Sequence, residues 1–202
     1  MGREKTMKKA FFIVTILFVA VISTACINNM AVQELNNTAK SYMDKGDYQA
    51  AIERLESSIE LDNTIYETHY NLGVAYIDAR EYEKAINSLN NALHLNSKYA
   101  NAYYTLAVAQ EKLADSLINS DVHGLTTNDD GQTEQVRTSG ETYKNISNSI
   151  KEQMIERYLT SIDNYRKYIE MVNSPQRTEE VNSHIEEMEK VLTQLGYTGS
   201  TF

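Results

Sequence analysis

The sequence predicts an all-α protein in which helical hairpins stack in a row and a last helix closes the stack. The segment that starts at Val32 aligns without a gap on the segment that starts at Tyr66, and a third copy opens in phase at Ala100. Repeats with periods of roughly 20–50 residues are typical of such arrays. No segment alternates polar and apolar residues with the period of two that a half-buried strand requires, so no sheet is expected.

The first residues carry the three-part pattern of an export signal. Arg3, Lys5, Lys8 and Lys9 form a basic head, and the apolar run Phe11–Ile22 follows it. This run is well short of the roughly 20 apolar residues that cross a bilayer as a helix. The pattern therefore predicts that residues 1–25 form a signal peptide.

The only cysteine, Cys26, follows the small residues Ser23, Thr24 and Ala25. This arrangement resembles the lipobox of bacterial lipoproteins, in which a peptidase cuts before a cysteine that carries diacylglyceryl on its sulfur. The usual leucine of that box is replaced by Ser23. The resemblance implies that Cys26 is lipidated and is the membrane anchor of a bacterial cell-envelope lipoprotein that faces the periplasm or the exterior.

Other interpretations of this segment are an ordinary cleaved signal with a cysteine nearby and an uncleaved anchor with a buried thiol. The opening MGREKT also fits the short pattern of N-myristoylation. That pattern gives no role to Phe11–Ile22, and a single myristoyl chain holds a protein on a membrane only marginally. Lipidation of Cys26 accounts for more of the sequence.

The charge balance argues against nucleic acid as a partner. Removal of residues 1–25 takes four basic residues and one acid from the 19 and 28 of the whole chain, which leaves 15 against 27 and a net charge of −12. Such a chain repels phosphate backbones and anionic membrane surfaces. Residues 26–31 are then a short linker before the first repeat.

The first two copies, residues 32–65 and 66–99, hold matching residues at equivalent places. The pairs are Ala39 and Gly73, Tyr42 and Tyr76, Tyr48 and Tyr82, Ala51 and Ala85, Ile52 and Ile86, Leu55 and Leu89, and Leu61 and Leu95. With these residues at this spacing the sequence resembles the tetratricopeptide repeat family. The resemblance implies a helix, a turn and a second helix in each repeat, with small residues at places eight and twenty, where the two helices approach most closely.

The third copy, residues 100–175, carries a long insertion. Its place eight is Ala107, but the best match to place twenty is Ser161, far beyond Asn119, where the spacing of the first two copies would put it. Helical spacing of apolar residues continues on both sides of the insertion, so both helices are expected to be longer than usual. A polar loop is expected over residues 120–142; its NDDG lacks the calcium-loop spacing, because Arg137 occupies the place of the terminal glutamate.

Residues 176–202 are expected to form a capping helix and a tail. Val181, Ile185, Met188 and Leu192 recur at helical spacing after Pro175, and stacked repeats need a terminal element with a polar outer face. The sequence thus predicts three helical pairs, the third with the insertion, and a C-terminal capping helix.

Motifs of catalysis and of metal or cofactor binding are absent from the sequence. No His has a second His three or four residues away, and neither a glycine-rich phosphate loop nor a C-x-x-C pair occurs. His69 occupies a place that usually packs, so it is interpreted as a partly buried structural imidazole. No enzyme activity, metal or cofactor is expected.

The resemblance implies a protein or peptide partner on the concave surface that the first helices line. The resemblance puts places two, five, nine, twelve and thirteen of each repeat on this surface. Here they form an apolar and aromatic strip with acidic margins. The predicted partner-binding residues are Asn36, Lys40, Tyr70, Val74, Ile77, Tyr104 and Val108. A subclass that grips chaperone tails with lysines, an arginine and asparagines is excluded, because Asn36 and Lys40 stand in exchanged places.

The predicted function is that of a lipid-anchored envelope scaffold that binds a partner through this strip. One alternative is an accessory subunit of cell-wall or secretion machinery that contributes to a composite site. Another is a structural spacer whose strip is covered by its own chain.

Overall fold

The computed structural model describes residues 14, 29–122, 143 and 146–199. The described part is helical and contains no strand, which confirms the predicted fold class. Its helices are α1 over residues 29–44, α2 (Tyr48–Leu61), α3 (Tyr66–Asp78), α4 (Tyr82–Leu95), α5 (Ala100–Val122), α6 (Asn148–Met171) and α7 (Pro175–Gln194).

Successive helices pack against each other along the chain from α2 to α7, and α3 also contacts α5. Ala39 of α1 shares a buried cluster with Ala51 and Ile52 of α2. The described helices therefore form three pairs, α1 with α2, α3 with α4 and α5 with α6, and α7 follows as a single helix.

Small residues allow the two helices of a pair to approach closely. A Cβ atom added to Gly73 of α3 would lie 2.6 Å from Cγ of Leu89 on α4, closer than side-chain carbons pack. Ala51 and Ala85, at place twenty of their repeats, are completely buried. The predicted role of places eight and twenty is confirmed, because a larger side chain at either place would push the helices apart.

The turns inside the first two pairs share one backbone geometry. Gly46 and Arg80 occupy the same place of successive repeats, and both have positive φ, 76° and 63° respectively. In each turn the next amide donates to a tyrosine carbonyl of the preceding helix, Asp47 to Tyr42 at 2.9 Å and Glu81 to Tyr76 at 2.8 Å. Glycine adopts this conformation without steric cost, whereas Arg80 holds it with some strain.

The third pair keeps its register across the insertion. Ser161 donates its hydroxyl to the carbonyl oxygen of Ala107 at 2.9 Å, and Asn164 donates its amide to the Gln110 side chain at 2.9 Å. Both contacts span the same interval along the chain, the one that the sequence predicts for Ala107 and Ser161. The insertion therefore lies between two helices that pair as in a shorter repeat.

The helices of the third pair are longer than those of the second. Helices α5 and α6 have 23 and 24 residues, against 13 in α3 and 14 in α4. Their added turns are packed together: Tyr158 is almost fully buried, and its hydroxyl donates to Asp115 at 2.6 Å. Helix α5 continues to Val122, past the predicted loop start at residue 120, because helical backbone extends beyond the last packed apolar residue. Residues 123–142 of the predicted loop lie outside the described residues.

Helix α7 closes the stack. Pro175 occupies its first turn, where the missing amide hydrogen is not needed. Val181, Ile185, Met188 and Leu192 are all buried, as their helical spacing predicts. They belong to a core cluster shared with α5 and α6, while a second cluster joins α1 to α5.

Candidate partner-binding surface

The predicted partner-binding residues lie on α1, α3 and α5, the first helices of the three pairs. Polar contacts hold these helices side by side. The Asn36 amide of α1 donates to Thr68 of α3 at 3.1 Å, and the Thr105 hydroxyl of α5 donates to the Tyr70 hydroxyl of α3 at 3.4 Å. The surface formed by these three helices is called the first-helix face below.

Val74 and Ile77 supply the apolar centre of this face on α3. Both side chains are half-buried. Ile77 packs against the cluster that joins α1 to α5, whereas Val74 is not among the described residues packed against either core cluster. Val74 therefore keeps part of its apolar side chain accessible to solvent on α3.

Tyr70 belongs to a cluster of three tyrosines beside Val74. The rings of Tyr66 and Tyr70 each meet the ring of Tyr99 edge to face, with centroids 5.0 Å apart in both pairs. All three rings are half-buried, and burial raises the pKa of Tyr99. Edge-to-face pairs hold aromatic rings in defined orientations, so this cluster, Tyr66, Tyr70 and Tyr99, is a fixed part of the face.

Tyr104 packs against its own helical pair. Its ring lies 5.4 Å from that of Tyr165 and 5.2 Å from that of Tyr168, both on α6, and it borders the core shared with α7. Val108, one turn further along α5, borders the same core. The Tyr104 ring is thus covered in part by α6 of its own chain.

Asn36 is used inside the fold. Its amide donates to the Val32 carbonyl at 2.9 Å and to the Ser58 hydroxyl at 2.8 Å, as well as to Thr68. Ser58 and Thr68 are completely buried. Asn36 therefore joins α1, α2 and α3. Both of its amide hydrogens are used inside the fold, so neither is free to donate to a partner. Lys40, one turn further along α1, is exposed.

Carboxylates surround the apolar centre. Glu67 and Asp78 are exposed on α3, and partial desolvation raises the pKa of the Asp78 carboxyl. Glu111 of α5 is half-buried, and Glu180 of α7 lies near enough to Tyr104 to help raise the pKa of that hydroxyl, after the larger effect of burial. The acidic margins predicted from the sequence are thus present.

Exposed basic side chains on the helices of the face and on α7 include Lys40, Lys112 and Arg177. His184 of α7 also reaches the face, where its Nε2 lies 2.8 Å from Oε2 of Glu111. Its ring meets Tyr165 edge to face at 5.5 Å. His184 therefore ties α7 to α5 across the end of the face.

Neither a catalytic nor a metal site emerges from the described residues. His69 is buried and its Nε2 lies 2.9 Å from the Asn63 carbonyl oxygen, so its interpretation as a structural imidazole is confirmed. No group of three or more His, Cys, Asp or Glu side chains in this part of the chain is placed to hold a metal ion. An open cavity of about 570 Å³ at the α6–α7 turn contains none of the predicted partner-binding residues.

Cys26, the predicted lipidation site, lies outside the described residues, as do all residues of the apolar run Phe11–Ile22 except Val14. Among the helices that the structure describes, none combines the length and the apolar character needed to cross a bilayer. The anchor prediction therefore rests on sequence.

Tyr66, Tyr99 and His184 are three residues of the surface that the sequence analysis did not assign to it. Tyr66 is the first residue of the second repeat and Tyr99 is its last residue. Neither occupies a place that the family pattern assigns to the face. The concentration of tyrosines at residues 99, 103 and 104 is the signal that could have identified this end of the face. No signal links His184 to Glu111, because 73 residues separate them.

Models of tetratricopeptide repeats match two overlapping parts of the sequence, residues 39–79 ("TPR repeat") and residues 66–99 ("Tetratricopeptide repeat"). No curated protein matches the sequence.

Solved structures of tetratricopeptide domains share the fold. The first such domain of Spaghetti (RPAP3), bound to the HSP90 peptide SRMEEVD, is 15% identical with a TM-score of 0.54, and the match covers 81% of this chain and 97% of that one. The Arabidopsis OM64 domain is 11% identical with a TM-score of 0.55, covering 79% and 98%. The second domain of human RPAP3, in complex with the HSP70 peptide SGPTIEEVD, is 13% identical with a TM-score of 0.53, covering 80% and 98%.

At these identities the structures establish the fold alone. The third helical pair and α7 lie beyond the residues that the repeat models match, but within the same stack. Residues 39–99 thus match the tetratricopeptide repeat family, and the described chain has the fold of tetratricopeptide arrays.

Proposed function

We propose that this protein is a scaffold of the bacterial cell envelope, anchored by lipid on Cys26, which binds a segment of a partner protein on the first-helix face. The observation that carries the binding proposal is Val74. Its apolar side chain stands on α3 between Tyr70 and Asp78 and keeps part of its surface accessible to solvent. Apolar surface between rigid helices is the feature that docks helical or extended peptide segments.

The rigidity of the surroundings supports this proposal. Tyr70 contacts the Tyr99 ring and accepts a hydrogen bond from the Thr105 hydroxyl, and Ile77 packs against the cluster that joins α1 to α5. A preformed surface loses less conformational freedom on binding than a mobile one, which favours affinity.

Two of the similar structures hold peptides, SRMEEVD in one and SGPTIEEVD in the other. This supports a peptide segment as the class of ligand for the same fold. It does not extend to the same peptides, because Asn36 donates to Ser58 and Thr68 inside this fold and Lys40 stands one turn further along α1.

The anchor is supported by sequence: the basic head, the apolar run Phe11–Ile22, and Cys26 directly after Ala25. A net charge of −12 after removal of residues 1–25, from 15 basic against 27 acidic groups, gives no electrostatic attraction to an anionic membrane. A scaffold of this charge needs a covalent lipid to stay at such a surface.

The anchor is tested with Cys26→Ala and Cys26→Ser variants of the full chain. The native protein is expected to partition into detergent and to carry the mass of its acyl chains on Cys26, whereas both variants stay uncleaved or become soluble. A native protein with an unmodified Cys26 would end the lipoprotein proposal.

The binding surface is tested with Val74→Gln in the anchored full chain. Glutamine is neutral, fits a helix and removes the apolar contact, so partner retention after mild crosslinking is expected to fall while the helical circular dichroism and melting temperature stay unchanged. Asn91→Gln on the exposed side of α4 is the matched control and is expected to retain the partner. Equal retention by both variants would reject the first-helix face as the docking surface.

A structural spacer is the second candidate, and the packing of Tyr104 on Tyr165 and Tyr168 favours it at the third repeat. A spacer with no partner would crosslink only to other copies of itself, and the Val74→Gln and Asn91→Gln variants would give the same crosslinks.

A further inference from the structure

We propose that the segment bound on the first-helix face is cationic, with arginine or lysine side chains placed on the cluster of Tyr66, Tyr70 and Tyr99 beside Glu67. This inference rests on the proposed function, because it names the chemistry of the partner at the same surface. It gives the partner the opposite charge to the EEVD ends of the peptides held by the similar structures.

The tyrosine cluster provides the aromatic half of the site. Tyr66 and Tyr70 lie one turn apart on α3, and both rings touch Tyr99 edge to face at 5.0 Å. An edge-to-face contact covers the edge of one ring and one face of the other, and all three side chains remain partly exposed. The face of an aromatic ring carries negative partial charge and attracts ammonium and guanidinium groups.

Glu67 provides the charged half. It is exposed and follows Tyr66 directly, and it raises the pKa of the Tyr66 hydroxyl mainly through a side-chain hydrogen bond and, after burial, through its charge. It also contributes to the raised pKa of Tyr99, after burial. The negative charge of Glu67 therefore acts on two of the three rings, and no basic side chain of the described residues forms an ion pair with it.

The next carboxylates continue this charge along the face. Asp78 lies one turn beyond Val74 on α3, and no described basic side chain forms an ion pair with it either. Glu180 acts on Tyr104 from α7, where Arg177 partly offsets it. Glu111 is held by His184 and by the Tyr165 hydroxyl. Glu67 and Asp78, neither in an ion pair with a described basic side chain, thus flank Val74 along α3.

The spacing favours a cationic and apolar segment. Glu67, Val74 and Asp78 lie on one helix, which places the acids about two turns before and one turn after the apolar centre. A bound segment with an apolar residue on Val74 and a basic residue on each side would satisfy all three. An acidic segment would bring its carboxylates against Glu67 and Asp78, at a cost in affinity.

The test measures binding of synthetic peptides to the purified full chain in detergent by fluorescence polarisation. One probe is SRMEEVD, and the other has the same length and apolar residues with each Glu and Asp replaced by Lys or Arg. The basic peptide is expected to bind at least about tenfold more tightly at low salt, and the difference is expected to shrink as salt rises. Equal binding, tighter binding of the acidic peptide, or binding of neither would overturn the inference.

Variants locate the charge. Glu67→Gln is expected to lower the affinity for the basic peptide about threefold or more, and Glu67→Lys is expected to lower it further. Both variants are expected to keep the native melting temperature because Glu67 is exposed. Glu53→Gln on α2, exposed and away from the face, is the matched control and is expected to have no effect. A loss that is equal for Glu67→Gln and Glu53→Gln would show a net-charge effect and reject the site.

The inference and the proposed function fail in different ways. If Val74→Gln loses the cellular partner while Glu67→Gln and Glu67→Lys keep it, the face is the docking surface and the cationic site is rejected. If all three variants keep the partner, the proposed function is rejected as well.

Discussion

The hydroxyl of Ser161 donates to the carbonyl oxygen of Ala107 at 2.9 Å, although the whole insertion separates them along the chain. Both residues are completely buried. They occupy the places where Gly73 meets the second helix of its pair and where Ala51 and Ala85 are buried in theirs. The insertion therefore lengthens α5 and α6 without changing the register in which they meet.

Enlarging Ser161 is expected to destabilise the third pair. Ser161→Leu adds a side chain where none fits and is expected to cost about 1–3 kcal/mol, whereas Ser161→Ala loses only the hydrogen bond, about 1 kcal/mol. Glu170→Ala, exposed on the same helix, is the control and is expected to stay within about 0.5 kcal/mol. Chemical denaturation measures the three values. A Ser161→Leu protein as stable as the native one would show that the register is different.

Because α3 and α4 approach closely at Gly73, we expect Gly73→Ala to destabilise the protein when Leu89 is present and to stabilise it when Leu89 is replaced by alanine. Gly73→Ala places Cβ 2.6 Å from Cγ of Leu89 and is expected to destabilise by up to about 2 kcal/mol, after the gain of about 1 kcal/mol that alanine brings to a helix. With Leu89→Ala in place the clash disappears, and the same substitution is expected to stabilise by about 1 kcal/mol. A double-mutant cycle measures both. Additive effects would contradict the contact.

Alkaline pH is expected to unfold the protein through its buried tyrosines. Burial raises the pKa of Tyr76, Tyr158 and Tyr165 above the ordinary value of 10.0, and their hydroxyls donate to Glu56, Asp115 and Glu111. Since the unfolded chain releases these protons first, the stabilising contribution is complete below about pH 10 and is lost as the pH rises further.

Urea unfolding at a series of pH values checks this dependence. Tyr158→Phe is expected to reduce the loss of stability above about pH 10, because that residue then has no proton to release. A free energy of unfolding that stays constant or rises in this range would contradict the burial of these hydroxyls.

Tyr104 and Val74 are expected to behave differently on truncation, although the sequence predicts a partner contact for both. Tyr104→Ala removes ring contacts with Tyr165 and Tyr168 and is expected to cost more than about 1 kcal/mol of stability. Val74→Ala is expected to change stability by no more than about 0.5 kcal/mol. Thermal melts compare the two. Equal melting temperatures would mean that the Tyr104 ring is not held by α6.

The repeat register could be predicted from the sequence, because the constant interval between copies places small residues where helices meet. The long α5 and α6 could be predicted as well, since apolar residues such as Leu113 and Met154 continue the helical spacing and are buried. These features depend on periodicity within one helix or between equivalent repeats, which a single sequence displays.

The partners of individual face residues could not be predicted. Place five holds Asn36, Tyr70 and Tyr104, and each meets a different set of neighbours: buried hydroxyls, Tyr99, and the rings of α6. The residue at place twenty-seven of the same repeat is one of these neighbours. In the first repeat it is Ser58, which accepts a hydrogen bond from the Asn36 amide, and in the third it is Tyr168, which packs on Tyr104. The pairing of these two places depends on how the helices cross, which periodicity alone does not give.

Site-specific photo-crosslinking shows whether a partner segment binds on the first-helix face. A photoreactive residue is placed at Val74 in the anchored full chain, and at Asn91 of α4 as the control. We expect one discrete adduct from position 74, lost when Tyr70→Ala is added, and none from position 91. Adducts of equal yield from both positions, or from position 91 alone, would contradict it.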